Sequence, residues 1–359
     1  MATRNDRNLL KQKYMNLKDI VRPNIWNLKP YSSARSEFKG EASVWLDANE
    51  NPLNQPYNRY PDPLQMQVKS AIARLKGVAQ ENIFLGVGSD ECIDMVYRTF
   101  CRPGVDNVVA ISPSYGMYEV CADINDVAYR KVALGSDFSL DADALIAAID
   151  QNTRAIWICS PNNPTGNAFD SRLLADICRR AENCIVVIDE AYIDFSAQPT
   201  MLNRLNELPN LIVLQTFSKA WGSAAVRLGM AFASREIIEI FNKVKYPYNV
   251  NKLTQDYALK LLERHSQVRE WVAMLLQQRA SLIARLQQIA VVKHIYATDA
   301  NFVLVRVSDA CDIYQYLCSR GIIVRNRHRV QLCEQCLRIT VGTQDENDSL
   351  IQALEEYGE

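Results

Sequence analysis

Two charged side chains stand in an apolar part of the sequence. The stretch LQTFSKAWGSAAVRLGMAFAS, residues 214–234, places Lys219 and Arg227 among small and apolar residues. A buried charge is costly unless it is paired or neutralised. Burial lowers the pKa of a lysine, and the neutral amine can form a Schiff base with a carbonyl. Arginine binds phosphate through its planar fork of donors. The pair therefore indicates a ligand that carries both a carbonyl and a phosphate.

Pyridoxal 5′-phosphate has both groups, and its chemistry makes further demands that this sequence can meet. Its ring nitrogen needs an anionic partner to keep a proton, and Asp189 ends the apolar run CIVVID. Tyr192 and Asn163, the latter in SPNNPTG, could donate hydrogen bonds to the ring oxygen. Tyr115 in SPSYG could lie against the ring. The turn GVGSDE, residues 86–91, offers backbone N–H groups to a phosphate at a helix start.

Each of these features has a simpler explanation when it is taken alone. GVGSDE could be an ordinary strand-to-helix turn, and it lacks the third glycine of a dinucleotide-binding fingerprint. Asp189 could form an ion pair or cap a helix, Tyr115 could belong to the core, and Lys219 could lie in a solvated loop. Taken together, these features follow one another in the chain with each at the end of an apolar run, and this pattern favours a single cofactor site over the separate explanations.

The elements that must position these residues lie between about residues 82 and 233. Short apolar runs such as NVVAIS, RAIWICS and NLIVLQT alternate there with polar turns and helix-like segments. This alternation predicts an α/β fold with a mostly parallel sheet of the seven-stranded type and helices on both faces. Ligands of such sheets bind outside the carboxyl ends of the strands. The loops that carry the candidate residues, including GSD at 88–90, should therefore converge on one crevice.

The character of the chain changes after about residue 251. A helical stretch without proline or glycine covers residues 254–289, and the short strands NFVLVRV, GIIVRNR and CLRITVG follow it. The first forty residues are polar and resemble an arm rather than a domain. We therefore predict an N-terminal arm over 1–40, a large cofactor-binding domain over 41–250 and a small α+β domain over 251–359.

Composition restricts the class of protein. The 359 residues are 48% hydrophobic and 23% charged, with 40 Lys+Arg against 41 Asp+Glu. This balance is typical of a soluble globular protein and argues against nucleic acid or an anionic membrane as a partner. No apolar run is long enough to span a bilayer, and the first residues do not read as a secretory signal. The sequence predicts a cytoplasmic protein.

Cysteine and histidine give no sign of a metal site. The ten cysteines are scattered, which predicts free and mostly buried thiols in a reducing compartment. CEQC, at Cys333 and Cys336, has no second pair to complete a zinc ribbon. The chain has three histidines, so a multi-histidine metal site is not expected.

The motifs SPNNPTG, DEAY and TFSKAWGSAAVRLG, in this order, resemble those of the fold-type I pyridoxal-phosphate aminotransferases of the aspartate aminotransferase superfamily. Within it, LKPYSSAR, LDANENP, RYPDP, PSYGMY and CLRITVGT resemble the histidinol-phosphate aminotransferases. The resemblance covers about residues 22–343. One departure is Ala225, where many relatives have glycine, and it concerns local packing because Arg227 keeps its place.

The resemblance implies roles for particular residues. Lys219 would form the Schiff base and move the proton, and Asp189 would pair with the ring nitrogen. Asn163 and Tyr192 would hold the ring oxygen, and Tyr115 would stack on the ring. The implied phosphate-binding residues are Ser89, Asp90, Thr216, Ser218, Arg227 and, from the neighbouring subunit of a homodimer, Tyr60. The implied substrate-binding residues are Tyr31, Arg325 and Arg338.

A small basic cluster, RNRHR at residues 325–329, has two interpretations. It could be a solvated strand end or an anion-binding pocket for substrate. The resemblance supports Arg325 in the second role, whereas nothing in the sequence supports Arg327 or Arg329.

The implied reaction transfers an amino group between L-histidinol phosphate and 2-oxoglutarate, giving imidazole acetol phosphate and L-glutamate. Arginines suit both the phosphate ester and the dicarboxylic acid. Two other activities use the same scaffold, namely transamination of aromatic amino acids and decarboxylation of a phosphorylated amino acid. A non-catalytic domain of a transcriptional regulator is a further alternative, but it would need a DNA-binding segment that the N-terminal arm is too short to supply.

Overall fold

A computed structural model of the chain describes residues 16–32, 34–38 and 40–358. The first fifteen residues of the predicted arm thus lie outside the described part. Two sheets organise the rest. The strands are β1 (Ile83–Val87), β2 (Asn107–Ser112), β3 (Ala128–Ala133), β4 (Thr153–Cys159), β5 (Ile185–Asp189), β6 (Leu211–Thr216), β7 (Leu228–Phe232), β8 (Val292–Ile295), β9 (Phe302–Val307), β10 (Arg325–Asn326) and β11 (Cys336–Thr340).

Helices connect most of the strands. They are α1 (Leu17–Ile20), α2 (Pro23–Trp26), α3 (Ala34–Glu37), α4 (Met66–Lys76), α5 (Gly88–Phe100), α6 (Met117–Ile124), α7 (Ala142–Ala147), α8 (Ser171–Arg180), α9 (Arg235–Val244), α10 (Lys252–Glu263), α11 (His265–Leu286), α12 (Ala310–Ser319) and α13 (Gln344–Gly358). Short 3₁₀ turns lie at Gln80–Asn82, Ile193–Phe195, Met201–Arg204 and Ala224–Val226.

The large sheet has seven strands in the order β1-β7-β6-β5-β4-β2-β3. Its pairs are parallel except for those of β7, which runs antiparallel to β1 and to β6. Alternate side chains enter two cores: Ile156 and Ile158 face the core with α4, α8 and α10, whereas Ala155 and Trp157 face the core with α5, α6 and α9. The predicted α/β class, with a mostly parallel sheet between helices, is confirmed.

Strand register brings the important loops to one edge of this sheet. Cys159 at the end of β4 pairs with Asp189 at the end of β5, and Asp189 pairs with Leu214 of β6. The loops after β4, β5 and β6 therefore leave the sheet side by side, as expected for the carboxyl ends of parallel strands. The next connection returns directly into β7, so it holds both Lys219 and Arg227 near that edge.

The small sheet is antiparallel, in the order β10-β11-β9-β8. The predicted strand GIIVRNR is shorter than expected, because only Arg325–Asn326 pairs with β11. The predicted helical stretch is two helices that meet at Arg264, and nothing in the local sequence explains the break. Ala258 of α10 lies in the core of the large sheet, whereas Leu282 of α11 lies in the core of the small sheet. The helix α11 thus carries the chain from one core to the other.

The ten cysteines all lie in the described part of the chain. They form no disulfide there, and eight of them are buried, as the sequence predicts.

Candidate active site

A cavity of about 710 Å³ opens where the strand ends of the large sheet face the small sheet. It is bordered by the loops after β2, β4, β5 and β6, by the start of α5 and by β10 and β11. The predicted residues that line it are Ser89, Asp90, Tyr115, Asn163, Asp189, Tyr192, Thr216, Ser218, Lys219, Arg227, Arg325 and Arg338. The predicted convergence of these loops on one crevice is confirmed.

Asp189 supplies a buried carboxylate at the floor of the cavity. Its side chain accepts hydrogen bonds from the Tyr118 hydroxyl at 2.7 Å and from the backbone N–H of Ala191 at 3.0 Å. Burial raises the pKa of Asp189, and these two donors oppose the increase. A cation within reach would favour the charged form further. The carboxylate is therefore positioned for a protonated partner.

Lys219 supplies an amine in the same cavity, and its side chain remains accessible to solvent there. In the described part of the chain its Nζ forms no hydrogen bond or ion pair, and it lies 5.6 Å from the ring centroid of Tyr192. Burial lowers the pKa of Lys219, and the nearby cation of Arg338 lowers it further. More of such an amine is neutral near pH 7 than of a lysine with the ordinary pKa, and the neutral form is the nucleophile and the base.

Asn163 and Tyr192 connect the large-sheet edge to the small sheet. The Asn163 amide donates to the Tyr192 hydroxyl at 3.5 Å, and its oxygen accepts from Arg338 at 2.5 Å. The rings of Tyr192 and Phe302 lie edge to face. The guanidinium of Arg338 lies over the Phe302 ring, 5.2 Å from its centroid. Packing and hydrogen bonding thus fix these polar groups at the cavity wall.

The start of α5 forms a cradle for an anion. A Cβ on Gly229 would not fit, because it would lie 2.1 Å from the backbone nitrogen of Ser89, and a Cβ on Gly88 would lie 2.6 Å from Arg227 Nη2 and displace that guanidinium. Both Gly88 and Arg227 have positive φ, at 70° and 53°. The result brings a guanidinium to a helix N-terminus, an arrangement that favours phosphate. Arg227 meanwhile pairs with Asp90 at 3.1 Å.

Two hydroxyl groups extend the cradle. The Thr216 hydroxyl donates to the Ser218 hydroxyl at 3.0 Å and accepts from the backbone N–H of Ser218 at 3.1 Å. Both side chains line the cavity beside Arg227. They offer further donors to a phosphate.

A stack of aromatic rings supports the floor of the cavity. The Tyr118 ring stacks on Trp157 at 4.8 Å, and Trp157 stacks on Tyr97 at 5.4 Å. The edge of the stack meets Tyr115, 5.6 Å from Tyr118, and the Tyr115 hydroxyl donates to Asp90 at 3.1 Å. Sequence reasoning missed Tyr118. It lies on α6, three residues after Tyr115, which belongs to the loop before that helix.

The small sheet contributes three guanidinium groups to the opposite wall, those of Arg325, Arg327 and Arg338. Arg327 was discounted from the sequence, yet it is half-buried and lines the cavity. Arg329 is exposed and lies outside the cavity lining.

Tyr31 and Tyr60 lie outside the cavity of this single chain. Both side chains are exposed, and the Tyr60 ring stacks on Tyr248 at 4.6 Å. Among the described residues no cluster of His, Cys, Asp and Glu is placed to hold a metal ion. Within the same ranges no helix combines the length and apolarity that a bilayer span requires.

Pyridoxal phosphate suits the residues that are present. The anion cradle at Gly88 depends on a close backbone approach that a Cβ on Gly229 would prevent, and the buried carboxylate of Asp189 and the amine of Lys219 lie in the same cavity. Asn163 and Tyr192 line that cavity too and offer donors for a ring oxygen. The donor set thus provides for each polar group of the cofactor.

Comparisons with known proteins agree with this site. A model of the family "Aminotransferase class I and II" matches residues 34–354, and the chain belongs to that family. Similar relatives include histidinol-phosphate aminotransferases of Parabacteroides distasonis, 58% identical over 94% of this chain and 98% of the relative, and of Bacteroides thetaiotaomicron, 54% identical over 95% and 99%. Within the class, the chain is therefore a member of the histidinol-phosphate aminotransferase family.

Solved structures extend the likeness to the fold. A histidinol-phosphate aminotransferase from Sinorhizobium meliloti, in complex with pyridoxal-5′-phosphate, matches with a TM-score of 0.76 and 25% identity over 83% of this chain and 82% of that one. An L-threonine-O-3-phosphate decarboxylase from Porphyromonas gingivalis shares the fold at a TM-score of 0.72 and 19% identity, over 84% of this chain and 91% of that one.

Proposed function

We propose that this chain is a pyridoxal-phosphate-dependent aminotransferase that converts L-histidinol phosphate and 2-oxoglutarate to imidazole acetol phosphate and L-glutamate. The observation that carries the proposal is one cavity in which the amine of Lys219, the buried carboxylate of Asp189 and an anion cradle face an arginine-rich wall. The relatives that are 54 and 58% identical over almost the whole chain support the same activity.

The large-sheet side of the cavity would bind the cofactor. Pyridoxal phosphate, when bound, supplies a carbonyl for amine exchange and a ring that accepts the electron pair left at the substrate α-carbon. Asp189 would hold a proton on the ring nitrogen, and Asn163 with Tyr192 would donate to the ring oxygen. Tyr115 would lie against the ring. The phosphate would be held by Ser89, Asp90, Thr216, Ser218 and Arg227.

Lys219 would move the proton during the reaction. Its lowered pKa leaves more of the amine in the neutral form near pH 7, which is the form that can remove a proton from the substrate α-carbon. The same Nζ would then return that proton on the cofactor side. In the described part of the chain the Nζ contacts the Tyr192 ring, and no hydrogen bond to a protein group has to break before Lys219 moves.

The arginine-rich wall would bind the acidic groups of the two substrates in turn. Arg325 and Arg338 can each bind a phosphate or a carboxylate by donating hydrogen bonds from the planar fork of the guanidinium. We also retain Tyr31 as a substrate contact. Its exposed position in the single chain requires either movement of the N-terminal segment or a neighbouring subunit.

We further propose that the protein is a homodimer in which Tyr60 completes the partner's cofactor site. The support is three leucines that the single chain leaves in solvent, with Leu46 90%, Leu53 73% and Leu253 61% exposed. Burying such side chains against a second subunit is favourable. Light scattering should give twice the monomer mass, and a monomer with full activity would contradict this part of the proposal.

The domain division and the location of the protein are also proposals. Residues 1–40 would form the arm, 41–250 the cofactor-binding domain and 251–359 the small domain, and the enzyme would act in the cytoplasm. A third core, around the small sheet and distinct from the two cores that flank the large sheet, supports the division into a large and a small domain.

An absorption spectrum of the purified protein tests the proposed reaction. The protein should be yellow, lose its yellow band when L-histidinol phosphate is added without a keto acid, and regain it with 2-oxoglutarate. A yellow protein that ignores histidinol phosphate would favour the aromatic or decarboxylase alternatives. A colourless protein that pyridoxal phosphate cannot reconstitute would overturn the assignment of Lys219.

A further inference from the structure

The arginine-rich wall has an order that comes from strand register. Arg325 of β10 stands directly opposite Arg338 of β11. Arg327, two residues later, continues this ladder through its backbone N–H, which donates to the Cys336 carbonyl at 2.8 Å. Because side chains alternate along a paired strand, Arg325 and Arg327 share the face that Arg338 also occupies. All three consequently line the same cavity.

In the part of the chain that the structure describes, no acidic group balances these three charges. Among the described residues, none of the three forms an ion pair with a carboxylate, and the one hydrogen-bond acceptor found is Asn163, on Arg338. The Nε atoms of Arg327 and Arg338 are buried without a hydrogen-bond partner in that part of the chain. Unpaired buried donors and like charges on one strand face are both unfavourable. Arg327 thus resembles Arg338: each is a half-buried arginine that lines the cavity and whose Nε is buried without a partner among the described residues.

We propose that Arg327 is a specificity-determining residue which, with Arg325 and Arg338, selects a substrate that ends in a dianionic phosphate monoester. The inference rests on the proposed function and assigns the third arginine a task within it. A phosphate monoester carries up to two negative charges and three acceptor oxygens, so it can use donors from three guanidinium groups. A carboxylate has two oxygens and one charge, which two arginines satisfy.

The environment of Arg327 agrees with this task. The pKa of Arg327 is lowered to about 10, mainly by burial and to a smaller extent by repulsion from the charges of Arg338 and Arg325. The guanidinium still keeps its charge near pH 7, but at a cost that a dianion would remove. Arg279, which lies outside the cavity lining, differs in that its guanidinium has an acceptor: its Nη1 donates to the Ala300 carbonyl at 2.7 Å.

The test compares Arg327→Gln with Arg329→Gln in the holoenzyme. Arg329 is an exposed arginine two residues away that lies outside the cavity, so its loss is a matched control. For Arg327→Gln, KM for L-histidinol phosphate should rise roughly 10- to 100-fold, as expected when a charge-assisted hydrogen bond is lost. KM for 2-oxoglutarate and the rate with unphosphorylated histidinol should change less than about threefold. Arg329→Gln should leave all of these values unchanged.

A pH profile separates binding of a dianion from a structural role. The second pKa of a phosphate monoester is about 6, so wild-type KM should rise as the pH falls below that value. The rise should be weaker in Arg327→Gln, whereas a merely misfolded pocket would lower kcat at every pH. Arg327→Lys keeps the charge without the fork and should recover part of the affinity.

Calorimetry with inorganic phosphate provides a readout that does not depend on turnover. Holoenzyme Arg327→Gln should bind inorganic phosphate about tenfold more weakly than wild type or Arg329→Gln. Equal loss of affinity for phosphorylated and unphosphorylated substrates, or unchanged KM and phosphate affinity, would overturn the inference. A wild type that binds phosphate through Arg327 but ignores histidinol phosphate would instead refute the proposed substrate.

Discussion

The two walls of the cavity differ in how completely their polar groups are satisfied. On the large-sheet side, Asp189 accepts two hydrogen bonds, and Thr216 and Ser218 bond to each other. On the small-sheet side, Arg325, Arg327 and Arg338 crowd one face without a carboxylate among the described residues. Contacts within the protein hold the carboxylate and the hydroxyl groups of the large-sheet wall in place. The small-sheet wall instead holds like charges that an anionic ligand would neutralise.

This difference matches two tasks that one enzyme must perform. The cofactor stays through every cycle, so its wall benefits from fixed geometry. The substrates bind and dissociate in every cycle, so their wall must bind them favourably and still allow them to leave. A cluster of unbalanced guanidinium groups does this, since its repulsion weakens when an anion enters and returns when it leaves.

Replacement of Lys219 by alanine should have the largest effect. We expect turnover to fall by about 10⁴-fold or more, because both the reactive amine and the proton carrier are lost. The variant should still retain pyridoxal phosphate after gel filtration, since Asp189 and the anion cradle remain. Melting should stay close to wild type because Lys219 forms no hydrogen bond in the described part of the chain. Near-normal turnover would refute the mechanism.

Asp189→Asn should give the next largest loss. We expect the rate to fall on the order of 10²-fold or more, because a neutral amide cannot hold a proton on the ring nitrogen through charge. Cofactor should remain bound, and the Tyr118 hydroxyl can still donate to the amide oxygen. Steady-state rates and the bound-cofactor spectrum measure both effects. Wild-type kinetics would show that the ring does not depend on this carboxylate.

Tyr118→Phe should reduce the rate about tenfold and change its pH dependence. The Tyr118 hydroxyl donates to the carboxylate and so lowers the pKa of Asp189, against burial, which raises it. Without that donor the pKa of Asp189 rises further, so the acid limb of the kcat profile should move to higher pH. Tyr129→Phe, on β3 and away from the cavity, is the matched control. An unmoved acid limb would contradict this role of Tyr118.

Sequence sufficed to predict the large-sheet wall because each of its residues follows an apolar run. Asp189 ends β5, and the segments that carry Asn163 and Lys219 follow β4 and β6. Parallel strands place their carboxyl ends at one edge whatever the packing of the helices, so the sequence order was enough to predict the convergence.

Tertiary contacts decide the features that the sequence did not predict. The role of Tyr118 depends on the way α6 packs on Trp157, which no local pattern encodes. Arg327 was discounted because RNRHR alone does not show which residue pairs with β11. A shift of one residue in that register would have turned Arg325 and Arg327 away from the cavity.

Arg325→Gln should have the smallest effect, which is a change in the free energy of unfolding. The sign of that change tests the contrast between the two walls. Removing one of two like charges that stand directly opposite should stabilise the free protein, by about 0.5 kcal/mol at low salt and by less as salt screens the pair. Arg102→Gln is the opposite case, since Arg102 forks onto the fully buried carboxylate of Asp106 and its loss should cost about 1–3 kcal/mol. Urea unfolding at low and high salt measures both. Arg325→Gln as destabilising as Arg102→Gln would mean that the small-sheet wall is satisfied without its ligand, and the distinction between the two walls would fail.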